Sequence, residues 1–177
     1  MNALADIAAR AAQRSLPVLL AGGHAVIAYG YQSSTFVVDL IVRKEDRPRW
    51  LELMAQLGFV LFHGAQAFLQ FNPGSGQGQP VDLILASGET FSQLEAAAVD
   101  NPRGTGFPRL IALKHLVAMK CHAIKYGHPG RILRDADDLI HLFAANRLDP
   151  DAPQWHDLIL KYGTQELLEK LRAVRGH

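Results

Sequence analysis

The sequence contains a single cysteine, Cys121, which excludes an internal disulfide and any paired-cysteine metal site. Its 18 lysines and arginines are nearly balanced by 17 aspartates and glutamates, so it lacks the dense basic composition of general nucleic-acid-binding proteins. No apolar run approaches the roughly 18 residues that span a bilayer. The amino-terminal segment has no apolar stretch of secretory type. We therefore expect a cytoplasmic globular protein without a membrane partner.

Strand and helix patterns alternate up to about residue 106, and helical patterns follow to the end of the chain. Apolar periodicity predicts helices at 2–15, 24–31, 44–57, 109–126, 131–146, 153–162 and 164–174. It predicts strands at 18–21, 35–42, 59–62, 67–71 and 81–85, with a flexible loop at 72–80. This organisation predicts an α/β (α+β) fold: a small mixed sheet flanked by helices, followed by a C-terminal helical bundle. We expect an α/β half at 1–106 and a helical half at 107–177, or one domain that includes both.

Two predicted strands each carry one aspartate inside an apolar run: Asp39 within residues 38–42 and Asp82 within residues 81–85. An uncompensated buried carboxylate is costly, so each of these groups needs a partner. One interpretation is local, with each aspartate bound to neighbouring backbone or to an arginine. Because the two strands match, a cation shared by both carboxylates is the other interpretation.

A glycine pair, Gly22 and Gly23, follows the first predicted strand and precedes a short helical segment. Glycines at such a turn allow backbone N–H groups to approach an anion closely. A tight strand-to-helix turn explains the pair equally well when it is considered alone. The acidic strand that follows strengthens the anion-binding interpretation.

The run AGGHAVIAYGYQSSTFVVDLIV resembles the opening signature of the nucleotidyltransferase superfamily that includes DNA polymerase beta. It is most similar to a minimal bacterial branch found in abortive-infection toxin–antitoxin systems. In that pattern, Gly-Gly is followed by Asp-x-Asp on a strand and by a third Asp on a later strand. Here 13 residues separate Gly23 from Val37-Val38-Asp39, and Asp82 matches the third acid.

The helical half also resembles that branch, so the similarity extends over about residues 15–145. RLIALKHLVAMKCHAIKYG is similar to a helix with a Leu-x-x-x-Lys element, and the element ends at Lys114. RDADDLIHL is similar to a (Lys/Arg)-Asp-x-x-Asp-Leu element at Arg134, Asp135 and Asp138. A structural Arg134–Asp138 pair at i, i+4 spacing would explain the second element as well as a catalytic role does.

Other residues of the segment at 109–126 have simpler interpretations. Lys114 faces either nucleotide phosphates or solvent, whereas Lys120, His122 and Lys125 favour a solvated basic face. Cys121 is expected to be a small buried apolar residue.

The resemblance implies a nucleotidyltransferase that moves a nucleoside monophosphate from a nucleoside triphosphate to a hydroxyl of a protein, an RNA or a small molecule. It implies catalytic and metal-binding roles for Asp39 and Asp82 with Mg²⁺ or Mn²⁺, and nucleotide binding by Gly22, Gly23 and Lys114. Thr35, Arg134, Asp135 and Asp138 are accessory candidates.

The sequence departs from the family pattern at Val37, where the first metal-binding aspartate is expected, and at Ser33, where an arginine is common. On a strand, alternate side chains point to the same face, so Val37 would share a face with Asp39. The substitution removes one negative charge and one oxygen ligand from a site that must hold cations. A second hypothesis is therefore a degenerate, non-catalytic member of the family that acts as a nucleotide-binding or protein-partner module.

Overall fold

The computed structural model of the chain describes residues 3–103, 107–127 and 129–175. Its helices are Ala3–Gln13 (α1), Gly22–Ala28 (α2), Arg47–Gln56 (α3), Gly88–Ala97 (α4), Leu113–Tyr126 (α5), Pro129–Ala145 (α6), Pro153–Tyr162 (α7) and Gln165–Arg175 (α8). Its strands are Val18–Leu20 (β1), Val38–Arg43 (β2), Phe59–Gly64 (β3), Phe68–Pro73 (β4), Val81–Ala86 (β5), Val99–Asp100 (β6) and Arg109–Leu110 (β7). A 3₁₀ turn at Lys44–Asp46 leads into α3. The expected α/β class, with helices flanking a mixed sheet and a helical bundle after it in the chain, is confirmed.

The seven strands form one mixed sheet in the order β3-β4-β5-β2-β1-β7-β6. The β2–β5 and β1–β7 pairs are parallel, whereas the remaining neighbours are antiparallel. The two strands with an aspartate, β2 and β5, lie side by side within the sheet. Their apolar, β-branched sequences suit strands that are covered by other parts of the chain.

The chain divides into two compact units. The first comprises Met1–Ala25 and Ser34–Ala112, and it contains the whole sheet. The second comprises Val26–Ser33 and Leu113–His177. Its core is an apolar cluster contributed by α5, α6, α7 and α8: Val117, Cys121, Leu139, Phe143, Ile159, Leu167, Leu168 and Leu171.

Several element boundaries differ from the sequence expectation. The second strand begins at Val38, so Val37 precedes it and the strand geometry that was expected to align Val37 with Asp39 is not present there. Before the strand, the Thr35 hydroxyl donates a hydrogen bond to the Val37 carbonyl at 2.9 Å. The glycine pair forms the first residues of α2 instead of preceding the helix. A helix predicted from residue 109 begins at Leu113, because Arg109–Leu110 pairs with other strands of the sheet as β7.

Residues 87–100, for which apolar periodicity predicts no element, form α4 and β6. The Ser87 side chain caps α4 by accepting a hydrogen bond from the Thr90 backbone N–H at 3.2 Å. Serine followed by Gly88 and Glu89 was therefore an unused signal for the start of a helix. Throughout the described ranges, no helix combines the length and the apolar character needed to cross a membrane.

Candidate functional site

Asp39 and Asp82 lie directly opposite each other on the parallel strands β2 and β5. Neighbouring strands are about 4.8 Å apart, and paired residues of a parallel ladder point to the same face of the sheet. The adjacent pair, Leu40 and Leu83, points to the opposite face and is fully buried. Both aspartates are only half-buried, so the sheet presents two adjacent carboxylates on its more accessible face.

The start of α2 packs tightly against Asp39, one member of this carboxylate pair. Gly22 has a φ of +58°, and a Cβ added to it would lie 1.8 Å from Oδ2 of Asp39. A Cβ at Gly23 would lie 2.5 Å from the Cβ of Thr35. Glycine is therefore required at both positions for the helix start, Thr35 and Asp39 to pack as they do. The structure brings together four of the predicted site residues here, with Asp82 on the neighbouring strand.

Gln70 is a site residue that the sequence analysis missed. It lies on β4 opposite Asp82, and its Nε2 donates a hydrogen bond to Oδ2 of Asp82 at 3.1 Å. This contact fixes the orientation of the carboxylate and occupies one of its two oxygens. The available signal was alternation: Gln70 is the polar residue between two apolar neighbours, Leu69 and Phe71.

The side chains at this site fit one divalent cation better than two. Mg²⁺ commonly takes one or two protein carboxylates and completes its octahedron with water and substrate phosphates. Asp39 and Asp82 satisfy that requirement. Val37, which is partly buried, offers no ligand, and the described part of the chain contains no group of three His, Cys, Asp or Glu side chains arranged to hold a metal.

Two of the accessory candidates in the second unit, Asp135 and Asp138, form a buried ion cluster with Lys120. Lys120 on α5 is 8% exposed, and its Nζ lies 2.5 Å from both Oδ1 of Asp135 and Oδ2 of Asp138 on α6. The Ser33 hydroxyl donates to Oδ1 of Asp138 at 2.7 Å. The expectation of a solvated Lys120 is wrong, because two buried carboxylates require a cation between them.

The proposed Arg134–Asp138 pair is also wrong, since Lys120 and Ser33 bind the Asp138 carboxylate and Arg134 is exposed. Arg131 approaches the cluster instead, with its Nε 3.5 Å from Oδ2 of Asp135. Lys114 lies in the first turn of α5 and is exposed. Exposure is consistent with both interpretations of this residue, phosphate binding and a solvated surface.

Two histidines are held in a form that resists protonation. Burial lowers the pKa of His24, which follows the glycine pair in α2, and its buried Nε2 has no hydrogen-bond partner in the described part of the chain. Burial also lowers the pKa of His115 on α5, and the positive charge of Lys114 lowers it further. Both imidazoles are therefore neutral at pH 7.

Three solved structures resemble the whole chain. The antibiotic-resistance factor ANT(2″)-Ia in solution is 18% identical, with a TM-score of 0.56 over 97% of this chain and 88% of that one. An antigenic nucleotidyltransferase-like protein from Paracoccidioides brasiliensis is 13% identical, with a TM-score of 0.58 over 97% and 90%. ANT(2″)-Ia in complex with adenylyl-2″-tobramycin is 17% identical, with a TM-score of 0.50 over 97% and 94%.

No protein-family model and no curated protein sequence matches the chain. At these identities the structural likenesses establish a nucleotidyltransferase-like fold, in agreement with the superfamily that the sequence resembles. The abortive-infection branch and the roles of individual residues stay predictions.

Proposed function

We propose that the chain binds a nucleoside triphosphate with Mg²⁺ at Asp39 and Asp82 and transfers its nucleoside monophosphate to a hydroxyl acceptor. The observation that carries this proposal is the in-register pair of half-buried carboxylates beside Gly22, where any side chain would displace Asp39. The ion neutralises phosphate charge and orients the α-phosphoryl group when it is bound. Gly22 lies beside the Asp39 carboxylate, and we expect the backbone N–H groups of Gly22 and Gly23 to face the nucleotide phosphates.

In this reaction, the acceptor oxygen forms a bond to the α-phosphorus while the α–β phosphoanhydride bond breaks. The products are the nucleotidylated acceptor and pyrophosphate, and the hydroxyl proton leaves with a base. Gln70 binds Oδ2 of Asp82 and leaves Oδ1 for the cation, so the proton passes to solvent water. Asp39 packs against Gly22 and would bind the cation on the side of the site where the nucleotide phosphates lie.

The second candidate function is a non-catalytic nucleotide-binding or partner module of the same fold. Val37 favours it, because the side chain supplies no oxygen where the resembling family places a metal-binding aspartate. Nucleotidyl transfer and a nucleotide-binding module both require nucleotide binding and differ in pyrophosphate release, whereas a partner module requires neither.

The experiment compares thermal unfolding of the wild type, Asp39→Asn and Asp82→Asn with ATP, GTP, CTP or UTP, in Mg²⁺ or in EDTA. A ligand that binds only the folded state raises Tm, so the wild type should show a Mg²⁺-dependent shift that both variants lose. Asp157→Asn on α7 is the matched control, since that carboxylate is 82% exposed. Wild-type protein that shows no shift with any nucleotide contradicts nucleotidyl transfer and a nucleotide-binding module, and leaves only the partner module.

Pyrophosphate release then separates the two functions. The protein is supplied with Mg²⁺, the stabilising nucleotide, and protein, RNA or small-molecule fractions as acceptors. Release that depends on an acceptor and on Asp39 supports transfer. Nucleotide-dependent stabilisation without release from any fraction identifies the non-catalytic module.

A further inference from the structure

The two carboxylates begin a row of polar side chains that crosses four strands. Asp39 on β2 pairs with Asp82 on β5, Asp82 pairs with Gln70 on β4, and Gln70 pairs with His63 on β3. In-register residues of neighbouring strands share a face, so these four side chains form one line across the sheet. Three strand spacings make the line about 14 Å long. We call it the polar row.

A β-bulge brings His63 into the polar row. Leu61 pairs with Phe71, but the next pair is His63 with Gln70, so Phe62 is an extra residue in β3. The imidazole of His63 also contacts the ring of Phe68, with centroids 5.5 Å apart. Phe68 lies two residues from Gln70 on the same face of β4 and is half-buried. An aromatic surface therefore borders the exposed end of the row.

On the strands themselves, basic side chains are scarce near the polar row. On this face of β2, β5, β4 and β3 the only lysine or arginine is Arg43, at the far end of β2, where its Nε binds Oδ2 of Asp46 at 2.8 Å. Asp39 and Asp82 contribute the fixed charges nearest the row. A polyanion lying along it would therefore find no phosphate-binding cation among these strands, which a nucleic-acid-binding surface requires.

We propose that Gln70, His63 and Phe68 form the acceptor side of this site, and that the acceptor is a small molecule with several hydroxyls, either neutral or cationic. This inference rests on the proposed nucleotide site at Asp39 and Asp82. The Gln70 Oε1 and the His63 ring nitrogens bind acceptor hydroxyl or amine groups, while Phe68 covers an apolar ring face. A few polar groups beside an aromatic surface are the usual composition of a small-molecule site.

His63 binds the acceptor and does not move the proton. It lies two strand spacings from Asp82, about 10 Å, whereas a base must lie within about 3 Å of the hydroxyl that it deprotonates. The reacting hydroxyl is placed at Asp82, and the rest of the acceptor extends along the row toward β3. This arrangement assigns His63 and Gln70 to acceptor affinity and orientation.

The test follows backbone amide signals of the ¹⁵N-labelled full chain during titration with three probes. Tobramycin is a cationic polyhydroxylated probe, raffinose is a neutral one, and a five-nucleotide oligoadenylate is the nucleic-acid probe. We expect tobramycin or raffinose to shift amide signals of β3 and β4. His63→Ala and Gln70→Leu should each raise the dissociation constant roughly tenfold, as expected for loss of one polar contact.

Matched controls are His156→Ala on α7 and Gln77→Leu in the loop between β4 and β5, which alter the same residue types elsewhere. The inference is overturned if neither polyhydroxylated probe shifts these signals, if His63→Ala binds the probe as the wild type does, or if oligoadenylate shifts them at lower concentration. The Mg²⁺–nucleotide Tm shift is measured on the same samples. If that Tm shift is absent while a probe still binds the polar row, the nucleotide site is wrong and the binding role of His63 and Gln70 still stands.

Discussion

At the scale of single residues, Gly22 connects chain conformation to the candidate site. A side chain at this position would be strained by the φ of +58°, and its Cβ would also collide with Oδ2 of Asp39, which lies 1.8 Å from the built Cβ. We expect Gly22→Ala to lower the free energy of unfolding by about 2–4 kcal/mol, because strain at positive φ and displacement of the carboxylate add. Urea unfolding measures this change.

Gly76 supplies the control for that prediction, since its φ is +71° and nothing lies within 4 Å of a built Cβ. Gly76→Ala therefore carries the conformational cost without the collision. If the two variants lose the same stability, the contact between Gly22 and Asp39 has no energetic weight.

Cys121 is a second residue with a clear individual expectation. Burial in the core of the second unit raises the pKa of its thiol to about 12, so the reactive thiolate is scarce at neutral pH. We expect a thiol reagent to label native protein at pH 7.5 far more slowly than urea-unfolded protein. A variant with Cys121→Ala and Lys125→Cys, which moves the thiol to an exposed position of the same helix, should react at once. Rapid labelling of the native wild type would contradict the burial.

At the scale of secondary-structure elements, residue 37, just before β2, is the position where a third acidic side chain could join Asp39 and Asp82. Val37→Asp adds a carboxylate two residues before Asp39, and we expect tighter Mg²⁺-dependent nucleotide binding as a larger Tm shift. Without metal, the same variant should unfold at a lower temperature than the wild type, because the added carboxylate repels Asp39 in a partly buried place.

The neighbouring Phe36→Asp is the control for Val37→Asp, since Phe36 is 68% exposed and adjacent in the chain. Thermal unfolding of both variants with and without Mg²⁺ and nucleotide decides the point. An equal metal-dependent shift for the two variants would show that residue 37 does not face the cation.

The pairing of α5 with α6 depends on the buried Lys120 cluster. Lys120→Met leaves two carboxylates buried without their shared cation, and we expect a loss of about 3–5 kcal/mol in the free energy of unfolding. Adding Asp135→Asn and Asp138→Asn should restore part of the loss, because the neutral amides no longer require a cation. Urea unfolding provides the measurement, with the exposed Lys125→Met of the same helix as control. A Lys120→Met variant as stable as that control would contradict the structural role of the cluster.

At the scale of the whole molecule, each compact unit contains a histidine that burial keeps neutral: His24 in the first and His115 in the second. Their folded pKa values lie below the unfolded value of 6.5, so the unfolded chain binds more protons in acid. Protonation of these histidines therefore does not lower the free energy of unfolding above pH 6.5, and it lowers it progressively as the pH falls below 6.5. We expect denaturant midpoints to decrease between pH 7.5 and 5, and to decrease less in His24→Gln. An identical pH profile in that variant would contradict a neutral, buried His24.

The sequence predicted those parts of the molecule that depend on local pattern. Asp39 and Asp82 in matching apolar strands pointed to neighbouring positions in a sheet, because an isolated polar residue in such a strand marks a face. Individual side-chain contacts that depend on how two elements pack together could not be predicted from such patterns. Lys120 has the spacing of a solvated residue, and only the packing of α5 against α6 supplies its two carboxylates. The Gln70–Asp82 contact likewise depends on strand register, which alternation alone does not determine.

The bulge at Phe62 shifts the register of β3 relative to β4. Side chains repeat every two residues along a strand, so one extra residue exchanges the faces of everything beyond it. Uninterrupted counting from Leu61 would put Phe62, and not His63, opposite Gln70. Removing either Phe62 or His63 would restore an uninterrupted ladder, but only a strand that keeps His63 would present an imidazole opposite Gln70.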